Sequence, residues 1–568
     1  MESFSPEAAE TPSVDEDPAL GLSQRAKLEI LGAVLLGLLL GALDQTIVGV
    51  ALPTIVTELG GQSLYVWTVT IYLLTSTITV PFYGKLSDLF GRRPLLMIGI
   101  GLFLLGSALS GLSQDIYQLI AFRGLQGLGA GALFPISLAV IGDLFTPQER
   151  GKYQGLFGAV FGLSSIVGPL AGGWLTENVS WHWIFYINLP LGAVALYVIW
   201  RLLPTIKRRG ATRDLDYVGA AVFTFAVSAL LIGLTNKQTH DWGTFEVAGL
   251  VAIGAVLFAI FLAVEARAKE PIVPLDLWRN RTYAGSIAST FLISFGFFGA
   301  IIFLPQWFQF VRGVSATESG LQSLALLGGL IVGAISSGQI VARRGHTKTV
   351  ILAGLVLMTV GLFLMTNLKS DTELPTLWLW MFITGLGIGP TFSVFTIVVQ
   401  NAVPFSKLGV ATSNLTFFRQ IGGSVGLALL GTVFGTRITE EIPGRLVAAG
   451  VPQPFVDALG QAGGGGQSLV VVGEDLGTKI LSGVPDAARP FVEPLIPNIV
   501  SGIHDAFTVA LTSVFQIGVF TTIAALLVAL VIREIPLRTM TPAAAAASAA
   551  PGPGRDADSV GRRAAAPD

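Results

Sequence analysis

Long apolar runs, separated by short polar segments, fill most of the chain. Most runs reach about 20 residues, which is the length that an α-helix needs to cross a bilayer. The runs predict helices at 29–55, 64–84, 95–113, 117–141, 153–176, 184–203, 217–236, 246–265, 284–311, 318–341, 349–368, 376–401, 409–436 and 506–532. The pattern therefore predicts an all-α polytopic membrane protein with about fourteen transmembrane helices.

Basic residues concentrate in alternate loops, as the positive-inside rule requires. With the N-terminus in the cytoplasm, the inside loops hold Lys85, Arg92, Arg93, Arg150, Lys152, Arg201, Lys207, Arg208, Arg209, Arg213, Arg267, Lys269, Arg279, Arg281, Arg343, Arg344, Lys348, Lys407, Arg533 and Arg538. The short outside loops hold only Lys237, Arg312 and Lys369. This alternation favours an even number of spans, with both termini in the cytoplasm of a bacterial cell and the chain in its cell membrane.

Composition limits the chemistry that the chain can carry. Hydrophobic residues make up 52% of the 568 residues and charged residues only 12%, about half the charge of a soluble domain. Cysteine is absent, which excludes disulfides and thiolate-bound metals. The four histidines, His182, His240, His346 and His504, are predicted in loops or at helix ends. Since no P-loop is present either, we expect neither an enzyme nor a metal site.

The remaining segments are polar or mixed. Residues 1–24 and 533–568 are predicted to be disordered cytoplasmic tails because they are polar, charged or rich in Ala and Pro. Residues 437–505 form a predicted extracytoplasmic insertion between the last two helices. It contains Gly463–Gly466 and a β-like run, "SLVVVG". A small external cap and a loop without structure are both compatible with this composition.

Two short inside loops resemble each other. "GKLSDLFGRRP" begins at Gly84 and "GQIVARRGHTK" begins at Gly338, eight helices later. In the second copy Ala342 occupies the position of Asp88. An offset of eight helices favours two six-helix halves, 25–203 and 284–436 with 506–532, separated by two linker helices with their loops in 204–283. Internal repeats of this kind are typical of secondary transporters.

Asp44 is the only carboxylate predicted well inside a span. A charged side chain at a helix centre costs about 2.5–3.5 kcal/mol on insertion scales, so it must face the bundle interior or a wet cavity. We expect Asp44 to bind and release a proton. The alternative is an acid that only supports helix packing, satisfied by hydroxyls such as that of Thr46.

Arg123 is the expected partner of Asp44. Counted from the ends of their helices, the two residues lie at a similar depth. Gln126 follows Arg123 on the same helix face, so Arg123 is predicted to tune Asp44 directly or through water and Gln126. Alternatively, Arg123 binds backbone carbonyls. Arg419 is a third buried charge, for which a contact to substrate and a contact to the Asp44 network are both open.

Four segments resemble motifs of one transporter family. They are "LDQTIVGVALP" from Leu43, "GKLSDLFGRR" from Gly84, "LIAFRGLQGLGAGA" from Leu119 and "GLFGAVFGLSSIVGPLAGG" from Gly155. Together they resemble the major facilitator superfamily, in its fourteen-helix drug:proton antiporter branch of QacA-like and EmrB-like multidrug exporters. The likeness covers about residues 25–436 and the last helix. Leu89 stands where the family usually has a basic residue, and Ser164 where it usually has glycine.

The resemblance implies a proton-coupled exporter of hydrophobic or amphipathic compounds that works by alternating access. The resemblance assigns conformational gating to Gly84, Asp88, Gly91, Arg92, Arg93, Gly155, Gly168, Pro169, Gly172 and Gly173. The residues themselves lead us to expect proton coupling at Asp44, Arg123, Gln126 and Arg419. The proton is the only coupling ion or cofactor expected, the partners are a small substrate and the bilayer rather than nucleic acid, and a monomer is expected to function.

The substrate site is predicted from helix nine alone. "FLPQWFQF" from Phe303 supplies Gln306, Trp307 and Gln309 around Pro305, although aromatic residues of this kind also face lipid or the membrane interface. A lipid or natural-product exporter that uses the insertion 437–505 is the alternative function. The alternative outside the transporters is a membrane receptor or scaffold that moves no substrate.

Overall fold

The computed structural model describes residues 22–59, 64–204, 216–237, 240–461, 476–482, 489–534 and 536. Within these ranges the chain is helical and contains no β-strand. The long helices are α1 Gln24–Leu59, α2 Tyr65–Phe90, α3 Arg92–Ser110, α4 Ile116–Leu144, α5 Pro147–Asn178, α6 Asn188–Leu202, α7 Tyr217–Asn236, α8 Leu250–Glu265, α9 Arg281–Val311, α10 Leu324–Arg344, α11 Thr347–Met365, α12 Leu374–Ala402, α13 Leu408–Ala448 and α14 Ile496–Leu530. The predicted all-α polytopic fold is confirmed.

Thirteen helical stretches of the described chain are long and apolar enough to cross a membrane. The remaining long helix, α2, has 26 residues but is rich in Thr and Ser. Its hydroxyls donate to carbonyls one turn earlier, Thr75 to Ile71 at 2.9 Å and Thr79 to Thr75 at 2.9 Å. Because these polar groups are satisfied inside the helix, α2 also suits a membrane, which gives fourteen spans.

The long helices form two bundles and a linker pair. Helices α1–α6 pack mainly on one another, as do α9–α14, while α7 packs on α8 and also contacts α2 and α13. The two bundles meet through α5 with α10 and α12, and through α13 with α2 and α4. The face on which α1 begins and α14 ends is called the basic face here, because Lys85, Arg150 and Lys407 lie there; the other is the opposite face.

Two helix boundaries differ from the predicted ones by about ten residues. Helix α13 continues to Ala448 and α14 begins at Ile496, so helix occupies both ends of the segment predicted as an insertion. The extension of α13 is polar, with ion pairs Arg437–Glu440 and Arg445–Glu441 at 3.4 and 3.2 Å, which is why a bilayer-length criterion ended it at 436. Between them the structure describes short helices Gln453–Gln461, Leu476–Ser482 and Arg489–Val492.

The early start of α14 corrects the placement of one histidine. His504 lies inside α14 rather than in a loop or at a helix end. Next to it, Asp505 accepts a hydrogen bond from Ser370 Oγ at 2.5 Å. The run Gly463–Gly466, the "SLVVVG" segment and most of the two predicted tails lie outside the described residues.

Candidate coupling and gating site

Asp44, Arg123 and Gln126 form one buried cluster between α1 and α4. Asp44 is 1% exposed, and its Oδ2 lies 2.5 Å from Nη1 of Arg123. Oδ1 of Asp44 accepts a hydrogen bond from Gln126 Nε2 at 2.8 Å, and Gln126 Oε1 accepts one from Arg123 at 2.8 Å. The structure thus brings together the acid and the two partners that spacing alone suggested, with a direct ion pair.

Two further groups complete this cluster. Asn188 on α6 donates from Nδ2 to Asp44 Oδ1 at 3.3 Å and to Ser107 Oγ at 3.0 Å. The ring of Tyr72 lies 4.2 Å from the guanidinium carbon of Arg123, a cation–π contact that favours the charged guanidinium. Sequence analysis missed Asn188, although a lone amide inside an apolar run was the available signal.

Among the described contacts, the hydroxyl of Thr46 makes no hydrogen bond to Asp44. Its hydroxyl donates to Ser164 O on α5 at 2.9 Å and to carbonyls of its own helix. A Cβ added at Gly168 would collide with this threonine side chain. The helix that carries Asp44 is therefore packed tightly against α5, two residues from the carboxylate.

The glycines of α5 face two different partners. A Cβ at Gly155 would come within 2.7 Å of Ile335 on α10, in the other bundle, and one at Gly172 within 2.9 Å of the Ile47 carbonyl on α1. Pro169 lies inside the helix. Gly173, predicted to belong to this seam, has nothing within 4 Å of its would-be Cβ, so it contributes no close approach. Helix α5 therefore connects α1 to the opposite bundle.

Asp88 links the two bundles on the basic face. Its carboxylate accepts hydrogen bonds from the backbone N–H groups of Gly409 at 3.1 Å and Val410 at 2.9 Å, at the start of α13. Arg92 holds the same carboxylate at 2.6 Å and Asp143 at 2.9 Å. Helix N-termini attract anions, so the carboxylate caps a helix of the other bundle and fixes the two bundles together.

The other predicted gating residues surround this contact. A Cβ at Gly84 would overlap Ser413 on α13, and Gly91 has a φ of 94°, a conformation that favours glycine. Arg93 is half-buried. The tight loop thus needs Gly91 for its turn and Gly84 for the approach of α13.

A second contact between the bundles was missed from sequence. Arg150 is 1% exposed and donates to the Phe145 carbonyl at 3.0 Å, to the Gly142 carbonyl, and to Gln400 Oε1 on α12 at 3.4 Å. Gln400 in turn donates to the Leu138 carbonyl at 3.2 Å. No motif flagged Gln400, which lies beside Asn401 near the end of an apolar helix.

The opposite face contains an open cavity between the bundles. Its volume is about 1080 Å³, and its walls come from α2, α7, α13 and Ile302 of α9. Leu73, Leu231 and Leu427 supply apolar surface, while Thr77 and Thr432 supply hydroxyls. The bundles are therefore joined on the basic face, and a cavity beside α7 opens on the opposite face.

Gln306, Trp307 and Gln309 do not line this cavity. Trp307 is 0% exposed and its Nε1 donates to Thr508 Oγ1 on α14 at 2.9 Å. Gln309 donates to Ser319 at 3.0 Å. In this conformation α9 turns Trp307 into the core of its own bundle, and a substrate role for the three residues stays a prediction.

Arg419 does not join the Asp44 cluster. It lies on α13, is 7% exposed and donates from Nη2 to the Thr391 carbonyl at 3.0 Å. Its guanidinium carbon lies 4.4 Å from the ring of Phe392 and 5.9 Å from that of Phe134 on α4. Of the two roles left open by the sequence, a contact to the Asp44 network is not present here.

Two six-helix bundles, a linker helix pair and a buried ion pair inside one bundle form the architecture of a secondary transporter. The chain belongs to the Major Facilitator Superfamily, whose family model matches residues 34–427. It is a multi-pass membrane transporter and not an enzyme.

Two relatives from Bacillus subtilis indicate the branch of the family to which the chain is similar. It is 40% identical over 439 residues to the multidrug transporter protein MdtP of Bacillus subtilis (strain 168), covering 77% of this chain and 79% of MdtP. It is 35% identical over 504 residues to multidrug resistance protein 3 of the same organism, covering 88% of this chain and 93% of the relative. The predicted membership of the multidrug exporter branch is confirmed.

Among solved structures, the chain resembles the proton:xylose symporter XylE bound to 6-bromo-6-deoxy-D-glucose. The TM-score is 0.57 at 13% sequence identity, and the match covers 92% of this chain and 99% of that one. At this identity the likeness concerns the fold alone.

Proposed function

We propose that the protein is a proton-coupled exporter of hydrophobic or amphipathic compounds, working as a monomer in a bacterial cell membrane. The basic face is then cytoplasmic, with both termini on that side. The observation that carries the proposal is the ion pair of Asp44 with Arg123, buried inside a membrane bundle. Ionisable residues in such positions are usually functional, and the names of the relatives support multidrug export.

Protonation of Asp44 provides the coupling step. The carboxylate loses its charge, and with it the charge-assisted hydrogen bonds from Arg123 and Gln126, which are stronger than neutral ones. The cation remains solvated by Gln126 and by the ring of Tyr72. The contact between α1 and α4 is weakened, while α1 stays packed on α5 through Thr46 and Gly168.

Movement of α1 and α5 then changes access. Helix α5 contacts the other bundle through Gly155, so a shift that begins at Asp44 is transmitted to the interface between the bundles. The Asp88 cap and the Arg150–Gln400 contact close the cytoplasmic side in the present state. One proton that enters down 100 mV supplies about 2.3 kcal/mol, which drives the cycle without ATP and without another cofactor.

The test is a substrate screen in a strain that lacks its own efflux pumps, with and without an uncoupler. The panel contains cationic, neutral and anionic amphiphiles. The wild-type chain should lower accumulation of some compounds, and the uncoupler should abolish this effect. Asp44→Asn should also abolish it, whereas Asp241→Asn, which changes an exposed acid at the cavity rim, should not. Uncoupler-resistant export by wild type, or normal export by Asp44→Asn, contradicts proton coupling through Asp44.

Lipid or natural-product export is a second candidate, favoured by the cavity. The linker helix α7 forms one wall through Leu231 and Leu234, so the cavity lies beside a helix pair that packs outside both bundles. A lipid cargo would change the extracted lipid profile of cells that express the wild-type chain. An unchanged profile, together with export of compounds from the screen, excludes this alternative.

A further inference from the structure

Arg419 is a buried cation without a buried anion beside it. Among the described residues, no carboxylate lies within 4.0 Å of its guanidinium, and its recorded hydrogen bond is the one to the Thr391 carbonyl. Two other buried guanidinium groups have carboxylate partners: Arg123 pairs with Asp44, and Arg92 pairs with Asp88 and Asp143. A buried charge is costly unless it is paired, so Arg419 has unused capacity to bind an anion.

Aromatic rings from both bundles surround this cation. Phe392 on α12 and Phe134 on α4 face the guanidinium. Phe161 on α5 contacts Phe392 across the interface, with ring centroids 5.9 Å apart, and Phe297 on α9 contacts it at 5.6 Å. Two rings come from α4 and α5 of one bundle and two from α9 and α12 of the other. Alternating access moves these two bundles relative to each other.

The position of the cluster is that of a substrate site rather than of a static core. It joins the two bundles near the middle of α4, α5, α9 and α12, where transporters of this architecture bind their cargo. Separation of the bundles parts Phe161 from Phe392 and Phe134 from Arg419. The space opened has an aromatic wall on each side and one cationic group.

We propose that Arg419 and these four phenylalanines bind an aromatic, amphipathic anion, whose carboxylate or phenolate pairs with the guanidinium while its rings stack on Phe134, Phe161, Phe297 and Phe392. Guanidinium matches carboxylates in a bidentate geometry, and aromatic rings prefer stacked or edge contacts with one another. This inference rests on the proposed export function and names the preferred charge of its substrate.

An anionic substrate changes the electrical balance of the cycle. Exchange of one entering proton for one leaving monovalent anion moves a net two positive charges inward. Exchange for a neutral compound moves one positive charge inward, and exchange for a monovalent cation moves no net charge. Each charge moved through 100 mV changes the attainable gradient by about 50-fold. Export of the anion should therefore depend more steeply on membrane potential than export of its neutral analogue.

The experiment uses the purified full chain in proteoliposomes with a potential imposed by potassium and valinomycin. The probes are anthracene-9-carboxylate, anthracene-9-carboxamide and 9-(aminomethyl)anthracene, which share one ring system and differ in charge. Wild type should transport the carboxylate fastest and with the steepest potential dependence. Arg419→Gln should slow the carboxylate about 10-fold or more and the amide less than about 3-fold. Arg419→Lys should retain part of the carboxylate rate.

Arg437→Gln is the matched control, because Arg437 is an exposed arginine on the same helix. If Arg419→Gln slows transport of all three probes equally, at normal abundance and unfolding temperature, Arg419 acts in the conformational cycle and the inference is overturned. Preference of wild type for the amine or the amide also overturns it. So does failure to transport any of the three while compounds from the screen are exported. If wild type exports no compound at all, the proposed function fails instead.

Discussion

Replacing Asp88 by Asn should open the closed side of the transporter. Asp88 is a residue of α2 whose carboxylate accepts two backbone hydrogen bonds from the first residues of α13 and pairs with Arg92 at 2.6 Å. Asn keeps the size of the side chain and one acceptor oxygen, but it loses the charge and the second acceptor. The contact between the bundles is weakened, while each bundle keeps its own core.

The size of the effect follows from these contacts. A hydrogen bond to a charged group contributes about 1.5–3 kcal/mol, and loss of a helix cap costs about 0.5–2 kcal/mol. Since Asn retains part of the cap, we expect the closed state to lose about 2–3 kcal/mol relative to the state open on the basic face. That shifts the equilibrium between the two states about 30- to 150-fold.

The natural absence of cysteine makes the assay direct. Ser413 is 0% exposed and lies against Gly84 where α2 meets α13, so a cysteine there is shielded while the basic face is closed. In a Ser413→Cys background, Asp88→Asn should raise the rate of labelling by a membrane-permeant maleimide by about the same 30- to 150-fold factor. The variant should also lose drug efflux at unchanged abundance.

Asp276→Asn is the matched control for this variant. Asp276 pairs with Lys407 at 2.6 Å on the same face, but both residues precede helices of the C-terminal bundle and the pair is partly exposed. An exposed pair contributes little, so labelling should hardly change. If Asp88→Asn labels no faster than its parent, or if the control accelerates labelling equally, the Asp88 cap does not hold the bundles together.

Three more substitutions test the remaining contacts. Asp44→Asn should lower the thermal unfolding temperature of the purified protein, because it leaves the buried guanidinium of Arg123 unpaired at a cost of about 3–5 kcal/mol. Adding Arg123→Gln should recover much of this stability without restoring efflux. If the two substitutions have additive effects on stability in this double-mutant cycle, Asp44 and Arg123 are not coupled. Gly338→Ala should abolish efflux at normal abundance, because its Cβ would meet the backbone of α5, whereas Gly328→Ala, with open space around it, should pump normally. Trp307→Ala should cost about 3–5 kcal/mol of stability but change the KM for an exported compound less than about 2-fold, and a large KM change at unchanged stability would restore its substrate role.

The fold was predictable because the membrane imposes a length on every span. A run of about 20 apolar residues has one structural outcome in lipid, and loop charges fix the alternation of direction. The criterion fails where a helix leaves the bilayer, as at residues 437–448 of α13. There the helix is built from polar residues and pairs such as Arg445–Glu441, which apolar length does not detect.

The candidate site was predictable only where charge stands out against an apolar background. Asp44 and Arg123 were visible for that reason, and their spacing from helix ends predicted a common depth. Asn188 and Gln400 are amides whose partners lie on other helices, so one sequence cannot assign those partners. The substrate role of Trp307 stays a prediction, because an aromatic residue gives the same pattern on a cavity wall and in a bundle core; in this conformation Trp307 lies in the core.

The difference between the two repeated loops has a structural cause. Helix α13 begins at Leu408, and the preceding residue, Lys407, offers no side-chain cap; its exposed N–H groups therefore need the carboxylate of Asp88 from the other bundle. Helix α5 occupies the corresponding position opposite the second loop, and it has its own capping box from Thr146 and Glu149.

The capping box already occupies the N–H groups of Thr146 and Glu149 at the start of α5, so this helix does not depend on an acid at position 342. The second contact relies instead on close backbone approach, since a Cβ at Gly151 or Gly338 would overlap the facing backbone. One crossing between the bundles is therefore electrostatic and the other steric. The α2–α13 crossing, at Asp88, can be weakened by a change of charge, whereas the α5–α10 crossing at Gly151 and Gly338 cannot.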